Sequence, residues 1–303
     1  MGGYVTKSNG RSQVVVNGRE PVTVEVNAQD YQKLNARPAL HRYLNEIYQW
    51  RYFIVSNARS RSLQSGSDMF LGRAWLVLQP LFDVLMYAVI FGLILKVSRG
   101  IENYIGYLVI GVVFIRFVSK ALNTSAGIVQ ASKSLMSSFT FPRAAVVISA
   151  LLRQMIDNFI PALVGVVVAF LFQYPNGPSF SVLLIVPLYL MIHLFVLGCM
   201  LIIARVTAFI PDVKPLVTLL NRALFFVSGV FYSLERFDGH ATLVAVMRAN
   251  PVYQFLLTAR EVTIYRSVPE PHILISLTCW TFGVLLFGLI FFWRAEERYA
   301  TVS

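Results

Sequence analysis

A series of long apolar stretches is the feature that most constrains what this chain can fold into. Residues 74–95 read AWLVLQPLFDVLMYAVIFGLIL and contain no Lys or Arg. A helix needs roughly 20 apolar residues to cross a hydrocarbon layer about 30 Å thick, and this stretch meets that length. Only 14% of the residues are charged, compared with about 25% in ordinary soluble domains. We therefore predict an all-α integral membrane protein with six transmembrane helices, near residues 74–96, 104–127, 144–173, 180–206, 216–233 and 272–293.

The distribution of basic residues predicts how the chain is oriented. Residues 1–73 hold ten Lys or Arg against five Asp or Glu, without an apolar run long enough for a signal peptide. Because segments rich in Lys and Arg stay in the cytoplasm, we expect both termini there. The net charge of +11 then follows from topology and from contact with anionic membrane lipids, and it does not indicate nucleic acid.

A polar N-terminal extension, residues 1–39, precedes the parts of the chain that contact the membrane. Its run VVVNGREPVTVEV places β-branched residues on both sides of Asn17 and Gly18, which predicts a β-hairpin. An isolated hairpin is only marginally stable, so this one either docks on a partner or belongs to a mobile tail.

Residues 40–73 are predicted to form an amphipathic interface helix, over 40–56, followed by a connector to the transmembrane domain, 74–303. Apolar side chains recur on one face of the helix, while charged ones project elsewhere. This pattern fits a helix that lies in the membrane interface with aromatic anchors. The alternative is a helix packed on another subunit. The apolar face consists of Leu40, Leu44, Ile47, Trp50 and Ile54.

Patterns of common catalytic and metal sites are absent from the sequence. It contains no GxxxxGK[ST] phosphate loop, no HExxH zinc site and no GxSxG nucleophile turn. Its four histidines are scattered, and Cys199 and Cys279 both fall in predicted spans, where they fit as core residues. We expect no catalytic residue, no metal and no cofactor on this chain.

Ionisable residues inside the predicted spans indicate faces that avoid lipid, because a charge at membrane depth is costly. Pro80, Asp83 and Tyr87 share a helical face by spacings of three and four, which makes that face a seam between helices. Arg153 and Asp157 lie four residues apart and can pair. They form either a satisfied ion pair or part of a polar path through the bundle.

Aromatic residues recur along one face of the second predicted span. Aromatic rings stack on the apolar faces of sugar rings, so this stripe would line a carbohydrate path together with Asp83 and Tyr87. Packing against neighbouring helices is the alternative for any single ring. The aromatic stripe consists of Tyr104, Tyr107, Phe114 and Phe117.

Three further motifs carry a family resemblance. They are LGRAWLVLQPLFDVLMYAVIFG at 71–92, FPR at 141–143 and NPVYQFLLTAR at 250–260. Together they resemble the permease subunits of type 2 ABC polysaccharide exporters, the Wzm-like group for O-antigen, teichoic acid and galactan, and among these the mycobacterial galactan exporters. The resemblance covers the chain from residue 45 onward. Pro211 stands in FIPDVKP where the family often has Arg, which leaves any role of that Arg open.

The resemblance implies a homodimer of six-span subunits in the bacterial plasma membrane, resting on two copies of a separate ATPase that bind ATP and Mg²⁺. The substrate would be a polyprenyl-diphosphate-linked polysaccharide. In such proteins a short cytoplasmic helix between spans two and three docks on the ATPase, and the matching segment here is ASKSLMSSF, 131–139. The residues expected to dock are Ser132, Leu135, Met136, Phe139 and Trp50.

Residues 241–264 are predicted to form two short amphipathic helices broken before Pro251, because the residue before a proline disfavours helix. By resemblance, these helices would dip toward the membrane and gate the exit; the alternative is a plain extracytoplasmic cap. The residues assigned to the exit gate are Asn250, Pro251, Phe255 and Arg260.

Two other functions stay open from the sequence. A type 2 exporter of small lipophilic compounds would have a narrower, apolar cavity without an aromatic ladder. A membrane-embedded polyprenyl-linked glycosyltransferase would gather acidic residues in a loop at one membrane face.

Overall fold

The computed structural model describes two separate units of this chain, Met1–Pro38 and Ala39–Ser303. The described residues are 4–8, 11–15, 22–24, 38–63, 72–95, 101, 103–138, 141–173, 177, 179–237 and 239–301.

The first unit contains a three-stranded antiparallel sheet in the order β1-β2-β3, formed by Tyr4–Ser8, Arg11–Val15 and Val22–Val24. β2 and β3 pair antiparallel, with Val14 opposite Val22, and the predicted turn at Asn17 and Gly18 lies outside the described residues. This register confirms the predicted hairpin, and β1 extends it by a strand that the sequence did not predict. The all-α class predicted for the membrane protein thus describes the second unit, while this extension contains strands, as its β-branched residues indicate.

The second unit is helical in its described part. Its helices are α1 Leu40–Gln49, α2 Arg51–Leu63, α3 Trp75–Tyr87, α4 Tyr104–Ser125, α5 Ile128–Ala131, α6 Lys133–Ser138, α7 Ala144–Leu171, α8 Ile185–Phe209, α9 Val213–Val227, α10 Ala241–Ala249, α11 Pro251–Thr263 and α12 Pro271–Trp293. A π-helical stretch, Ala88–Ile94, continues α3. A 3₁₀ turn, Phe180–Leu184, leads into α8.

Five helices of the described residues are long and apolar enough to cross a membrane: Trp75–Ile94, Tyr104–Ser125, Ala144–Leu171, Phe180–Phe209 and Pro271–Trp293. They coincide with five of the six predicted spans. The span predicted over 216–233 differs, because α9 ends at Val227 after 15 residues. At 1.5 Å per residue it is only about 22 Å long.

Helix α4 lies at the centre of the second unit. Of its most apolar stretch 72% is buried, against 11% for Trp75–Ile94. It packs against α3, α7, α8, α9 and α11. Side chains such as Leu108, Phe114 and Ile115 are completely enclosed by these neighbours. Every other long helix is therefore placed by its contact with α4 or with a neighbour of α4.

Helices α8 and α12 cross at a pair of glycines. A Cβ atom built on Gly198 would lie 2.5 Å from the carbonyl oxygen of Val284, and one on Gly288 would lie 3.0 Å from the Cα of Gly198. The two backbones are thus in direct van der Waals contact, because glycine has only a hydrogen atom as its side chain. Small residues permit such an approach, which membrane helices use to gain van der Waals contact.

The predicted interface helix is two helices, since α1 ends at Gln49 and α2 begins at Arg51. α2 lies along α7, and its buried side chains are Ile54, Ala58 and Ser62. Of the predicted apolar face, Ile54 is thus covered by this chain's own α7, whereas Leu44 on α1 is exposed, and the contact of α1 with the membrane interface or with another subunit stays a prediction. The side-chain amide of Asn57 adds a hydrogen bond of 3.0 Å to Ser149 on α7.

Three distant segments meet where α7 begins. The Tyr43 hydroxyl donates to Oε2 of Glu296 at 2.8 Å and accepts from the backbone N–H of Ala144 at 3.2 Å. The backbone N–H of Arg143 donates to Oε1 of Glu296 at 2.9 Å. The first backbone donors of α7, which no intrahelical carbonyl can pair, are thus bound by side chains of α1 and of the C-terminal segment. We call Tyr43, Arg143 and Glu296 the basal cluster.

We expect Gly198→Ala to destabilise the second unit by about 1–3 kcal/mol, because the added methyl group meets backbone that cannot move aside. The matched control is Gly283→Ala on α12, where a Cβ would meet nothing within 4 Å. Thermal unfolding of the two purified variants in detergent checks the prediction. Equal melting temperatures for both variants would contradict it.

The basal cluster predicts a pH dependence of stability. Burial raises the pKa of Glu296 above its ordinary value of 4.5, against hydrogen bonds from Arg143 and Tyr43 that lower it. A carboxyl group with a raised folded-state pKa stabilises the fold below its unfolded-state pKa, and that contribution is lost as the pH rises through the folded-state pKa. We therefore expect Glu296→Gln, which keeps the shape, to remove part of the loss of stability between pH 4.5 and neutrality.

The measurement is the melting temperature against pH for the wild type and for Glu296→Gln. Glu297→Gln is the matched control, since Glu297 is the exposed neighbour in the sequence. A pH profile of Glu296→Gln that coincides with those of the wild type and the control would refute the assignment.

Candidate functional site

Between α9 and the 3₁₀ turn Leu234–Phe237, the chain makes a non-helical turn inside the protein, residues 228–232, which we call the buried turn. Ser228 and Val230 are completely buried. Gly229 has a φ of 62°, a left-handed conformation that glycine adopts without strain. Backbone carbonyls that no helix pairs are tolerated in the interior of a protein only when other protein groups bind them.

Arg260 of α11 supplies donors to the buried turn. Its side chain is 1% exposed, and it donates to the carbonyls of Gly229 at 3.0 Å and Val230 at 3.1 Å. A third bond, of 3.3 Å, reaches the carbonyl of Tyr107 on α4, and the guanidinium carbon lies 3.4 Å from the centre of the Tyr107 ring. The cation is thus held by carbonyl dipoles and an aromatic face.

Two tyrosines of the predicted aromatic stripe bind further carbonyls of the buried turn and share that of Gly229 with Arg260. The Tyr107 hydroxyl donates to the carbonyls of Tyr232 at 2.6 Å and Gly229 at 3.1 Å. The Tyr104 hydroxyl donates to the carbonyl of Phe231 at 3.2 Å. α4 and α11 therefore fix the buried turn from two sides.

These contacts correct the expectation that the aromatic stripe lines a carbohydrate path in this conformation. Tyr107, Phe114 and Phe117 are between 0% and 4% exposed, so they offer no ring face to a sugar. Phe117 packs instead against Tyr189 and His193 of α8. Packing and hydrogen bonding to the subunit's own backbone explain these rings.

The residues assigned to an exit gate lie around the junction of α10 and α11, and the break falls at Asn250 as the proline pattern predicts. Oδ1 of Asn250 accepts from the backbone N–H of Val252 at 3.0 Å, and Nδ2 donates to Oγ of Ser228 at 3.1 Å. Pro251 is the first residue of α11. Phe255 is completely buried against Phe195. These four side chains anchor α11 in this structure, and gating stays a prediction.

The seam predicted on α3 faces α4 and the buried turn. The Asp83 carboxylate forms an ion pair with Arg116 of α4. One helical turn away, the Tyr87 ring packs on Phe231 at a centroid distance of 4.8 Å. Pro80 is buried on the same face. The carboxylate inside this apolar helix thus has a basic partner on the neighbouring helix.

Asp157 forms the predicted pair with Arg153 and has two further partners. Its Oδ2 lies 3.5 Å from Nε of Arg153 and 3.8 Å from Nζ of Lys120. Its Oδ1 accepts from the Ser62 hydroxyl at 2.6 Å. The sequence pointed to the first partner because it lies one helical turn away. It missed Lys120 and Ser62, which lie on other helices, although Arg116 and Lys120 four apart in an apolar helix were a signal.

Two adjacent cavities surround these charges. One of about 350 Å³ lies between α3, α4 and α7, and one of about 320 Å³ lies between α2, α4 and α7, beside α5. Lys120 and Asp157 line both. We call the two spaces together the cationic cavity; Asp83 pairs with one of its bases, Arg116, and the charged residues that line it are Arg61, Arg116, Lys120, Arg153 and Asp157.

Of the described residues predicted to dock an ATPase, three lie in the chain between α4 and α7. Ser132 is buried at the junction of α5 and α6, while Leu135 and Met136 on α6 are half-buried. Phe139 lies outside the described residues. Trp50 packs against Phe141 of the FPR motif, with ring centroids 5.7 Å apart. Within the described residues, no group of three or more His, Cys, Asp or Glu side chains is placed to hold a metal ion.

Comparison with known proteins places this fold in a family. The family model described as ABC-2 type transporter matches residues 53–263, from α2 to the end of α11. An O-antigen export system permease protein, RfbA, of Myxococcus xanthus is 22% identical over 260 residues, which are 86% of this chain and 98% of that protein. A protein of the same name from Klebsiella pneumoniae is 25% identical over 259 residues, 84% of this chain and 96% of its own length. Because the family model covers more than half of a chain whose apolar helices cross a membrane several times, this protein belongs to the ABC-2 type transporter family.

Proposed function

We propose that this chain is the permease subunit of an ATP-driven exporter that moves a polyprenyl-diphosphate-linked polysaccharide across the bacterial plasma membrane. The observation that carries the proposal is the match, over almost their whole length, to permeases named for O-antigen export. Membership of the ABC-2 family supports a separate ATPase partner, which would bind ATP and Mg²⁺. Galactan is the polymer that the sequence motifs favour.

We propose six membrane crossings, with both termini in the cytoplasm. Five helices are long enough by themselves, and α9 with the buried turn would make the sixth. The bonds from Arg260, Tyr107 and Tyr104 support this reading, because they allow non-helical backbone to lie at membrane depth. An even number of crossings returns the C-terminal segment to the side of α1, and Tyr43 and Glu296 do bind each other.

The proposed ATPase contact is α6 with its half-buried Leu135 and Met136. α6 precedes Arg143, whose backbone is bound by Glu296, and α5 is tied to α8 through Gln130, which donates to the carbonyl of Thr207 at 2.6 Å. A displacement of α6 by the ATPase would therefore move α7 and α8 with it as rigid bodies. A homodimer of this subunit with two ATPase copies fits such a cycle, with the segment from α10 to α11 as its exit gate.

The first experiment is to purify the chain from native membranes in mild detergent and to identify what comes with it by mass spectrometry and sugar analysis. We expect an ATPase subunit and a polyprenyl-linked glycan, because both are required by the proposed cycle. If the chain purifies without a partner and transfers sugars to a lipid acceptor, the result would contradict the proposed export function and favour the glycosyltransferase. Export of only small lipophilic compounds would contradict the polysaccharide.

A second experiment tests the docking surface. We expect Leu135→Asp to reduce co-purification of the ATPase about tenfold or more, because a charge without a partner is costly in an apolar contact. Thr242→Asp adds the same charge at an exposed position of α10 and should co-purify normally. Normal ATPase binding and export in Leu135→Asp, with the variant properly folded, would rule out docking through α6.

A further inference from the structure

The cationic cavity carries more positive than negative charge. Four basic side chains, Arg61, Arg116, Lys120 and Arg153, line it, and the carboxylates beside them are Asp83 and Asp157. Ion pairs with equal numbers of charges would suffice to hold the helices together. The excess of positive charge inside a membrane bundle is costly unless it serves a ligand or a path.

The acid at the centre of this group is buried, whereas the bases around it are partly exposed. The Asp157 side chain is 2% exposed, whereas Lys120 is 46% and Arg153 38% exposed. Because Lys120 and Arg153 both approach the same carboxylate oxygen, Asp157 holds two cationic heads together at the cavity wall. A buried acid that gathers reachable bases creates a local site for an anion.

The basic groups are arranged in two levels along the helices. Arg61 lies in the last turn of α2, and its neighbour Ser62 bonds Asp157, so Arg61 is level with Arg153 on α7. Lys120 lies at the same level, where the two cavities meet. Arg116 is one turn away on α4, about 18 Å from Tyr104 at 1.5 Å per residue, and so lies near the middle of its helix. An anion between these helices would meet cations at two neighbouring levels.

We propose that the cationic cavity binds the diphosphate group of the lipid carrier. Guanidinium groups bind phosphate oxygens with paired hydrogen bonds, and Lys adds a compact charge. Two linked phosphates can engage Arg116 and the Lys120–Arg153 pair together, whereas the single phosphate of a membrane phospholipid engages one of them. Each cavity lies within the range of about 300–1,000 Å³ that is typical of ligand sites. The inference rests on the proposed function, to which it adds a site for the head group.

The test measures binding of a long-chain polyprenyl diphosphate to the purified protein in detergent, with polyprenyl monophosphate, polyprenol and phosphatidylglycerol as comparison probes. We expect the wild type to bind the diphosphate about tenfold or more tightly than polyprenol, and Lys120→Gln with Arg153→Gln to lose about that factor. The charge-keeping variant, Lys120→Arg with Arg153→Lys, should bind like the wild type.

The matched control is Arg59→Gln with Arg248→Gln, which removes the same charge from two exposed arginines outside the cavity. If the double cavity variant does not fold, the comparison of Arg61→Gln with Arg59→Gln on the same exposed stretch of α2 decides the question. Wild-type affinity in the folded cavity variant would overturn the proposal. An equal loss for phosphatidylglycerol would overturn it as well, and would assign the cavity to phospholipid.

Failure of this inference is distinguishable from failure of the proposed function. Probe binding is measured without ATP and without a sugar polymer, and polysaccharide export is measured separately in cells. Export by the wild type together with full probe binding by the cavity variant would contradict the diphosphate site alone. Specific probe binding that the variant loses, without any polysaccharide export by the wild type, would contradict the proposed function alone.

Discussion

The backbone carbonyls of the buried turn, which no helix pairs, impose the constraint on which the rest of this structure depends. No water reaches a buried carbonyl to replace a missing donor, so each one left alone costs about 1–3 kcal/mol. Arg260 binds Gly229 and Val230 from α11, while Tyr107 binds the turn from α4. These bonds join α4, α9 and α11 at one point. Because α4 is also the most buried of the five long apolar helices, the position of the turn is transmitted to the whole unit.

The carboxylates in the interior are likewise bound by groups on neighbouring helices. Asp83 pairs with Arg116 between α3 and α4, and Asp157 connects α2, α4 and α7 through Ser62, Lys120 and Arg153. Removing one partner of a buried pair leaves the other charge without compensation, which is more costly than the pair itself is stabilising. The acids therefore hold the helices together, while the more exposed bases give the cavity its positive character. One set of side chains would thus serve both packing and the proposed binding of an anion.

The helix positions were predictable from the sequence because the thickness of a bilayer fixes their length. Helices Ala144–Leu171 and Pro271–Trp293 end within two residues of the predicted spans. The end of α9 was not predictable in this way, because apolar residues continue through the buried turn, and the donor that stabilises the turn is Arg260, 30 positions away. Hydropathy measures the cost of exposing a side chain to water and does not register such distant hydrogen bonds.

The candidate site shows the same limit. The pair of Arg153 and Asp157 was predicted because both residues lie on one helix, one turn apart. The spacing of Tyr104 and Tyr107 correctly indicated a special face of α4, but it could not show what that face meets. Their acceptors are carbonyls more than 120 residues further along the chain. Local periodicity thus identified the functional faces, and tertiary contacts decided their roles.

The distribution of these bonds also determines which part of the unit can move in the proposed export cycle. Displacing α4 relative to α11 would break the bonds of Arg260 and Tyr107, so α4, α11 and the buried turn move together. α3 differs, because it and its continuation are mostly exposed. Its second half is a π-helix, Ala88–Ile94, whose hydrogen-bonding pattern is rare and less regular than that of an α-helix. In the proposed export cycle, a passage for a polymer would therefore open at the least cost where α3 moves against α4, beside the ion pair of Asp83 and Arg116 and thus at the cationic cavity.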